Sequence, residues 1–105
     1  MSTKLSIDCY EAFKRILAEA YNQAAYGKGK DRHAEECELF EKQPICEISR
    51  RVGLGYPLGQ AVKKIYESKR LSGERGIGEL LGAINYLVAA IIVRREENES
   101  DDIKS

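Results

Sequence analysis

The chain holds one histidine, two prolines, one methionine and three cysteines in 105 residues, and each scarcity closes off a class of function. A lone His33 cannot complete a zinc site with scattered partners, and nucleophilic catalysis would leave it to serve a cysteine or serine that no elbow motif surrounds. Cys9, Cys37 and Cys46 stand 28 and 9 residues apart, which matches neither a CxxC redox pair nor the close ligand pairs of structural zinc. Their odd number, with no signal peptide, points to free or packed thiols in a reducing cytoplasm. Prolines are few and long polar tracts absent, while 43% of residues are hydrophobic and 32% charged, so the composition is a folding one. The length suits a single domain with a modest core and excludes a multidomain enzyme.

A run of membrane length is also lacking. The most apolar stretch, Leu80 to Val93, has 14 residues with Asn85 and Tyr86 inside it, short of the roughly 18–20 that a bilayer crossing needs. It is expected to be buried in protein. Nor does one sign of charge dominate, because 17 Lys and Arg cancel 17 Asp and Glu. The cancellation is uneven: five acids and only Lys104 among the bases fall in residues 96–105, which leaves 16 bases against 12 acids, a net +4, in residues 1–95. That excess falls short of the dense basic stripe of a dedicated DNA binder, so duplex nucleic acid is a disfavoured partner.

What is present is helical periodicity. From Asp8 to Tyr26 apolar or small residues recur at Cys9, Phe13, Ile16, Leu17, Ala20, Tyr21 and Ala24, with Asp8 and Glu11 as a capping pair and Gly27 as a stop. Gly27 to Gln43 has no sustained period and reads as a long ordered loop, basic then acidic, with a short helical turn and Leu39 and Phe40 as anchors. Pro44 opens a second helix whose apolar face is Ile45, Ile48 and Val52. Gly53, Gly55 and Pro57 end it, and Pro57 opens a third, with Leu58, Ala61, Val62 and Ile65 as its stripe. The fourth, from about Glu74 to Glu97, is apolar almost all round, so either three helices or a second copy must wrap it. Gly78, Gly82, Asn85 and Ala89 form a small-residue row that predicts close helix approach, inside the chain or as a homo-oligomer seam. The expected architecture is therefore all-α: a compact four-helix domain over residues 1–97, a basic and acidic loop between helices 1 and 2, an acidic flexible tail at 98–105, and packing as a homo-oligomer.

Chemistry concentrates in Tyr26-Gly-Lys-Gly-Lys-Asp-Arg-His33, directly after a helix end. Glycines let backbone amides turn toward an anion, Lys28, Lys30 and Arg32 supply charge, and Tyr26 and His33 can stack on a base. The spacing is neither a Walker A loop nor a dinucleotide fingerprint. The alternative is a solvated turn answering Glu35, Glu36 and Glu38. A second basic cluster, Lys63, Lys64, Lys69, Arg70 and Arg75, offers Lys64 and Arg70 as further ligand contacts, unless Lys63, Glu67 and Arg70 only make a salt-bridged face. The acids at Glu35 to Glu41 invite comparison with magnesium-dependent all-α nucleotide pyrophosphohydrolases, which need converging carboxylate pairs. Here Glu35 and Glu38 would have only Glu79 opposite them, so the second pair is missing. Glu79 and Asn85 read better as satisfied hydrogen-bonding groups at a packing seam, and a Cys37–His33 pair is the weakest catalytic option.

Taken together, YGKGKDRHA, FEKQPI, LGQAVKKIYESKRL and ERGIGELLGAINYLVAAIIV, between Tyr21 and Val93, resemble small helical proteins encoded by bacteriophages. More loosely, a helical oligomer with basic pockets is similar to phage anti-defence sponges, which sequester nucleotide immune signals without cleaving them. With the basic loop and the second basic cluster, the leading reading is a cytoplasmic, non-enzymatic binder of an anionic nucleotide-like small molecule, using no cofactor or metal, held by Tyr26, Lys28, Lys30, Arg32, His33, Lys64 and Arg70. The other readings are the magnesium-dependent pyrophosphohydrolase and a protein-binding inhibitor of a host enzyme.

Overall fold

A computed structural model describes residues 9–27 and 38–104. Its helices are α1 (Glu11–Tyr26), α2 (Pro44–Val52), α3 (Gly55–Arg70) and α4 (Gly73–Lys104), with a 3-10 turn at Phe40–Lys42 before α2. No strand occurs among the described residues, in keeping with the all-α reading of the sequence. The helices pack as one compact body around α4, which touches all three others. α3 and α4 form an antiparallel hairpin joined through Leu71 and Ser72.

Each boundary has a local cause. Gly27 closes α1 by donating its N–H to the Gln23 carbonyl at 3.0 Å. Pro44 sits in the first turn of α2, where its missing N–H costs nothing. After α2 the chain reverses at Gly53, whose φ of 98° lies in the region that L side chains avoid. α3 then begins at Gly55, slightly earlier than expected, and takes Pro57 into its first turn. α4 runs on as helix to Lys104, well past Glu97.

The core departs from the expected one. Its buried apolar side chains are Ala20, Cys46, Ala61, Ala83, Ala89, Ala90 and Val93, with Ser49 the buried polar one. Small residues let helix axes approach closely, and the larger side chains of each stripe are left at the edges or outside. In α1 only Ala20 is buried, while Phe13, Ile16, Leu17 and Tyr21 stay exposed. In α2 the inward face is Cys46 and Ser49, not Ile48 and Val52, which point outward. Ser49 is tolerated there because its hydroxyl donates to the Ile45 carbonyl at 2.6 Å. In α3, Pro57 and Ala61 are buried and Leu58, Val62 and Ile65 are half uncovered. Leu39, expected to anchor the loop, is exposed; Phe40 is partly buried.

The expectation that α4 is too short an apolar run for a bilayer also changes. Helix Gly73–Asp101 contains an 18-residue window with mean hydropathy 1.9, apolar enough by length and composition to cross a membrane, and only 33% of that window is buried. Gly, Asn and Tyr within it lower the hydropathy without interrupting it. The three other helices therefore do not wrap α4 completely.

Candidate functional site

The site begins with a glycine. Gly82 lies on the side of α4 that faces α3, and a Cβ there would come within 2.8 Å of Lys64 Cδ. Its bareness lets the Lys64 stem cross α4 and place Nζ 3.2 Å from Glu79 Oε1. Around this pair, Gln60, Lys63, Lys64, Glu67 and Glu79 line an open, polar depression of about 400 Å³. Arg70 stands on its rim and donates from Nη1 to Glu67 Oε2 at 3.2 Å. Glu67 thus pairs with Arg70, and Lys63 has no ion pair among the described residues. Three cations and two carboxylates share the depression and its rim, a local charge near +1 that suits an anion weakly on its own.

The end of α1 reaches the same end of the molecule. Gln23 Nε2 donates to the Gly78 carbonyl at 3.0 Å, and Asn85 Nδ2 donates to the Ala20 carbonyl at 3.0 Å and to Gln23 Oε1 at 3.3 Å. These bonds pin the last turns of α1 beside the half of α4 that carries Glu79. Tyr26, on the final turn, is exposed and meets Tyr21 edge to face, ring centroids 6.4 Å apart. Of the residues expected to bind a ligand, Tyr26, Lys64 and Arg70 are described and come to this end; Lys28, Lys30, Arg32 and His33 lie outside the described residues, as do Cys37 and Glu35.

The same bonds show how the small-residue row is used. Gly78 offers its carbonyl to α1, Gly82 accepts the Lys64 stem, Asn85 is bonded to α1 and Ala89 is completely buried. At Gly82 and Ala89 the close approach is taken up inside the chain, whereas the Cβ position of Gly78 faces open space. Glu79 and Asn85 are, as expected, polar groups satisfied at a packing seam.

Among the described residues, the carboxylates that a pyrophosphohydrolase would need, Glu38 and Glu79, do not converge. Glu38 accepts a bond from Gln43 Nε2 on its backbone carbonyl at 2.9 Å, in the segment leading into α2, and α2 docks on the far end of α4 through Glu96. Glu79 and Glu96 are roughly 25 Å apart along the α4 axis, so Glu38 and Glu79 sit at opposite ends. Among the described residues no group of three metal-ligating side chains exists.

No family model, curated protein or solved structure matches this chain. Function has to be read from the geometry.

A second polar cluster had no local signal in the sequence. Arg50 donates from Nε to Glu96 Oε1 at 2.8 Å, from Nη2 to Glu96 Oε2 at 3.0 Å and to the Glu41 carbonyl at 2.6 Å, and from Nη1 to Glu47 Oε2 at 3.1 Å. One planar guanidinium thereby ties the 3-10 turn, α2 and α4 together. The hydrogen bonds from Arg50 hold the Glu96 carboxyl below its ordinary range. Burial beneath this clamp pushes the Cys46 thiol up, partly opposed by the Arg50 charge, which keeps it protonated and poorly nucleophilic. Tyr56 is likewise raised, by burial and then by its hydrogen bond with Tyr86, whose ring it meets edge on at 6.0 Å. These groups hold the bundle together.

Proposed function

We propose that the chain is a non-enzymatic helical binding protein that holds an anionic, nucleotide-like small molecule and sequesters it intact, in the manner of a phage anti-defence sponge. One observation carries this reading: the last turns of α1, from which the GKGKDRH segment continues in sequence, and the basic cluster of α3 are held against one stretch of α4. The Gln23–Gly78 bond holds the origin of the GKGKDRH segment beside α4, and the Lys64–Glu79 pair holds the α3 cluster against that same stretch of α4. Lys63, Lys64 and Arg70 offer donors beyond those spent on Glu67 and Glu79, enough to bond phosphate oxygens, and Tyr26 supplies a ring for a base. The described depression carries a charge of only about +1, so the reading assigns most of the attraction to Lys28, Lys30 and Arg32, which lie outside the described residues. The separation of Glu38 from Glu79 weighs against magnesium-assisted hydrolysis as the runner-up.

The test is to denature freshly purified protein, identify any released small molecule by mass spectrometry, and run a thermal-shift panel of linear and cyclic nucleotides on ligand-free protein. A nucleotide at 100 times its dissociation constant stabilises by about 2.7 kcal/mol, a readily visible shift in a domain of this size. The nucleotide should be recovered unchanged, and both Arg32→Gln and Lys64→Gln should lose the shift. A panel with no shift and no released ligand would overturn the reading.

A further inference from the structure

The uncovered side of α4 has an ordered pattern. Opposite the buried Gly82, Ala89 and Val93, a stripe of Ile77, Leu80, Ile84, Leu87 and Ile91 runs with spacings of three, four, three and four residues. That is a heptad repeat, with isoleucine at every first core position and leucine at every second one. Four of the five are 43–51% exposed, and Ile84 between them is partly covered. A helix packed only within its own chain has no use for such a repeat on its solvent side. In parallel coiled coils this combination of β-branched and leucine core positions selects two strands.

The stripe continues onto α3. Leu58, Val62 and Ile65 are 44–50% exposed, and an apolar groove of about 460 Å³ between Leu58 on α3 and Leu87, Ala90 and Ile91 on α4 joins the two helices into one surface. Together these side chains leave on the order of 600 Å² of apolar area open, at the upper limit for the largest patch of a typical monomer. A standard interface takes about 800 Å² from each partner, so the patch is the right size for the dry centre of one.

We propose that this α3–α4 face is a homodimer interface in which the Ile77–Ile91 stripe of one copy packs against the same stripe of a second. The inference goes beyond the ligand-binding reading and uses none of its residues. The stripe contains no charge, and Arg94 and Arg95, which border the groove, lie beyond its Ile91 end. A two-fold axis that runs the two α4 helices antiparallel therefore lays the stripe on itself without setting these arginines against each other. Residues 1–8 and 28–37 together bring only Met1, Leu5 and Ile7 as large aliphatic side chains, too few to match the eight of the patch. A bilayer is a poorer occupant. To enter one, α4 would shed α2 and α3, leaving Glu79 without Lys64 and Glu96 without Arg50.

Sedimentation equilibrium of the full chain in buffer tests this. The expected result is a species of twice 11.8 kDa at micromolar concentration, and Leu87→Glu with Ile91→Glu should raise the dimer dissociation constant about 100-fold or more while helical circular dichroism is retained. Should that variant not fold, Ile84→Cys decides, in a chain with Cys9→Ala, Cys37→Ala and Cys46→Ala. Because Ile84 is the centre of the stripe, either direction of pairing brings the two copies' position 84 together, and oxidation should link Ile84→Cys far faster than Glu97→Cys, which lies on the opposite side of α4. A monomer at all concentrations, an oligomer indifferent to the double substitution, equal cross-linking at 84 and 97, or monomeric protein that sediments with phosphatidylcholine vesicles would each overturn the proposal.

Discussion

Replacing Glu79 by glutamine separates binding from hydrolysis by the sign of the effect. The side chain keeps its size and an acceptor for Lys64 but loses its charge. Lys64 Nζ and Glu79 Oε1 are 3.2 Å apart, with the two side chains 30% and 29% exposed, so the local environment is neither bulk water nor a dry interior. A phosphate resting on Lys64 would lie about 5 Å from the Glu79 carboxylate, where like charges repel by roughly 1–2 kcal/mol per unit of charge at an effective dielectric of about 40–80. Glu79→Gln should therefore tighten binding of a nucleotide phosphate by about tenfold. Losing a partly exposed ion pair should lower stability by no more than about 1 kcal/mol, so affinity rises while the melting temperature falls by a few degrees. Isothermal titration at fixed salt, with the nucleotide found by thermal shift, measures the first, and a melt without ligand measures the second. Weaker or unchanged binding in Glu79→Gln would refute the placement of the anion beside Lys64. If instead the wild type released pyrophosphate with magnesium and Glu79→Gln abolished that release, the protein would be an enzyme.

Two glycines on α4, two residues apart, should respond to alanine in opposite directions. At Gly76 a Cβ would meet the carbonyl oxygens of Leu71 and Ser68 at 2.6 and 2.8 Å, backbone that cannot step aside, so an overpacking cost of about 1–3 kcal/mol should exceed the helix-propensity gain of ~1 kcal/mol. At Gly78 nothing lies within 4 Å of the new methyl, and urea denaturation should show stabilisation by about 0.5–1 kcal/mol; equal responses at the two sites would contradict the tight α3–α4 turn. For Glu96, whose folded pKa Arg50 depresses, the stabilisation is fully present above the unfolded value of about 4.3 and is lost as pH falls through the folded value. Glu96→Gln should therefore flatten the acid side of a stability profile between about pH 5 and 3, and an unchanged profile would show that the clamp adds nothing.

Helix number and most boundaries were legible because local residues cause them: Gly27 and Gly53 stop helices and Pro44 starts one. The inward face was not. Periodicity marks a stripe of apolar residues, but a close helix approach selects the smallest of them, and no one-dimensional pattern distinguishes Ala61 from Val62 or Cys46 from Ile48. The small-residue row on α4 was visible, with inside and outside left open, and the hydrogen bonds to Ala20 and from Gln23 show it used within the chain. The Arg50–Glu96 clamp joins residues 46 apart and left no trace in spacing. Of the candidate site, the α3 cluster was legible as basic, whereas its pairing with Glu79 depended on the bare Cα of Gly82 beneath Lys64.

A core of alanines, one cysteine and one valine, with leucines and isoleucines outside it, has a thermodynamic consequence. Small side chains remove little apolar area from water, and chains near 100 residues are already marginal. If the open α3–α4 face is covered by a second copy, much of the hydrophobic stabilisation appears only on association, and unfolding becomes bimolecular in reverse. The melting temperature should then rise with protein concentration. A hundredfold increase is worth about 2.7 kcal/mol per dimer, which at about 2–4 °C per kcal/mol for some 200 residues is roughly 5–10 °C. Scanning calorimetry from low to high micromolar protein measures this directly, and Leu87→Glu with Ile91→Glu should remove the dependence. A melting temperature independent of concentration would mean that the small-residue core suffices for the fold and that the exposed stripe contributes nothing to it.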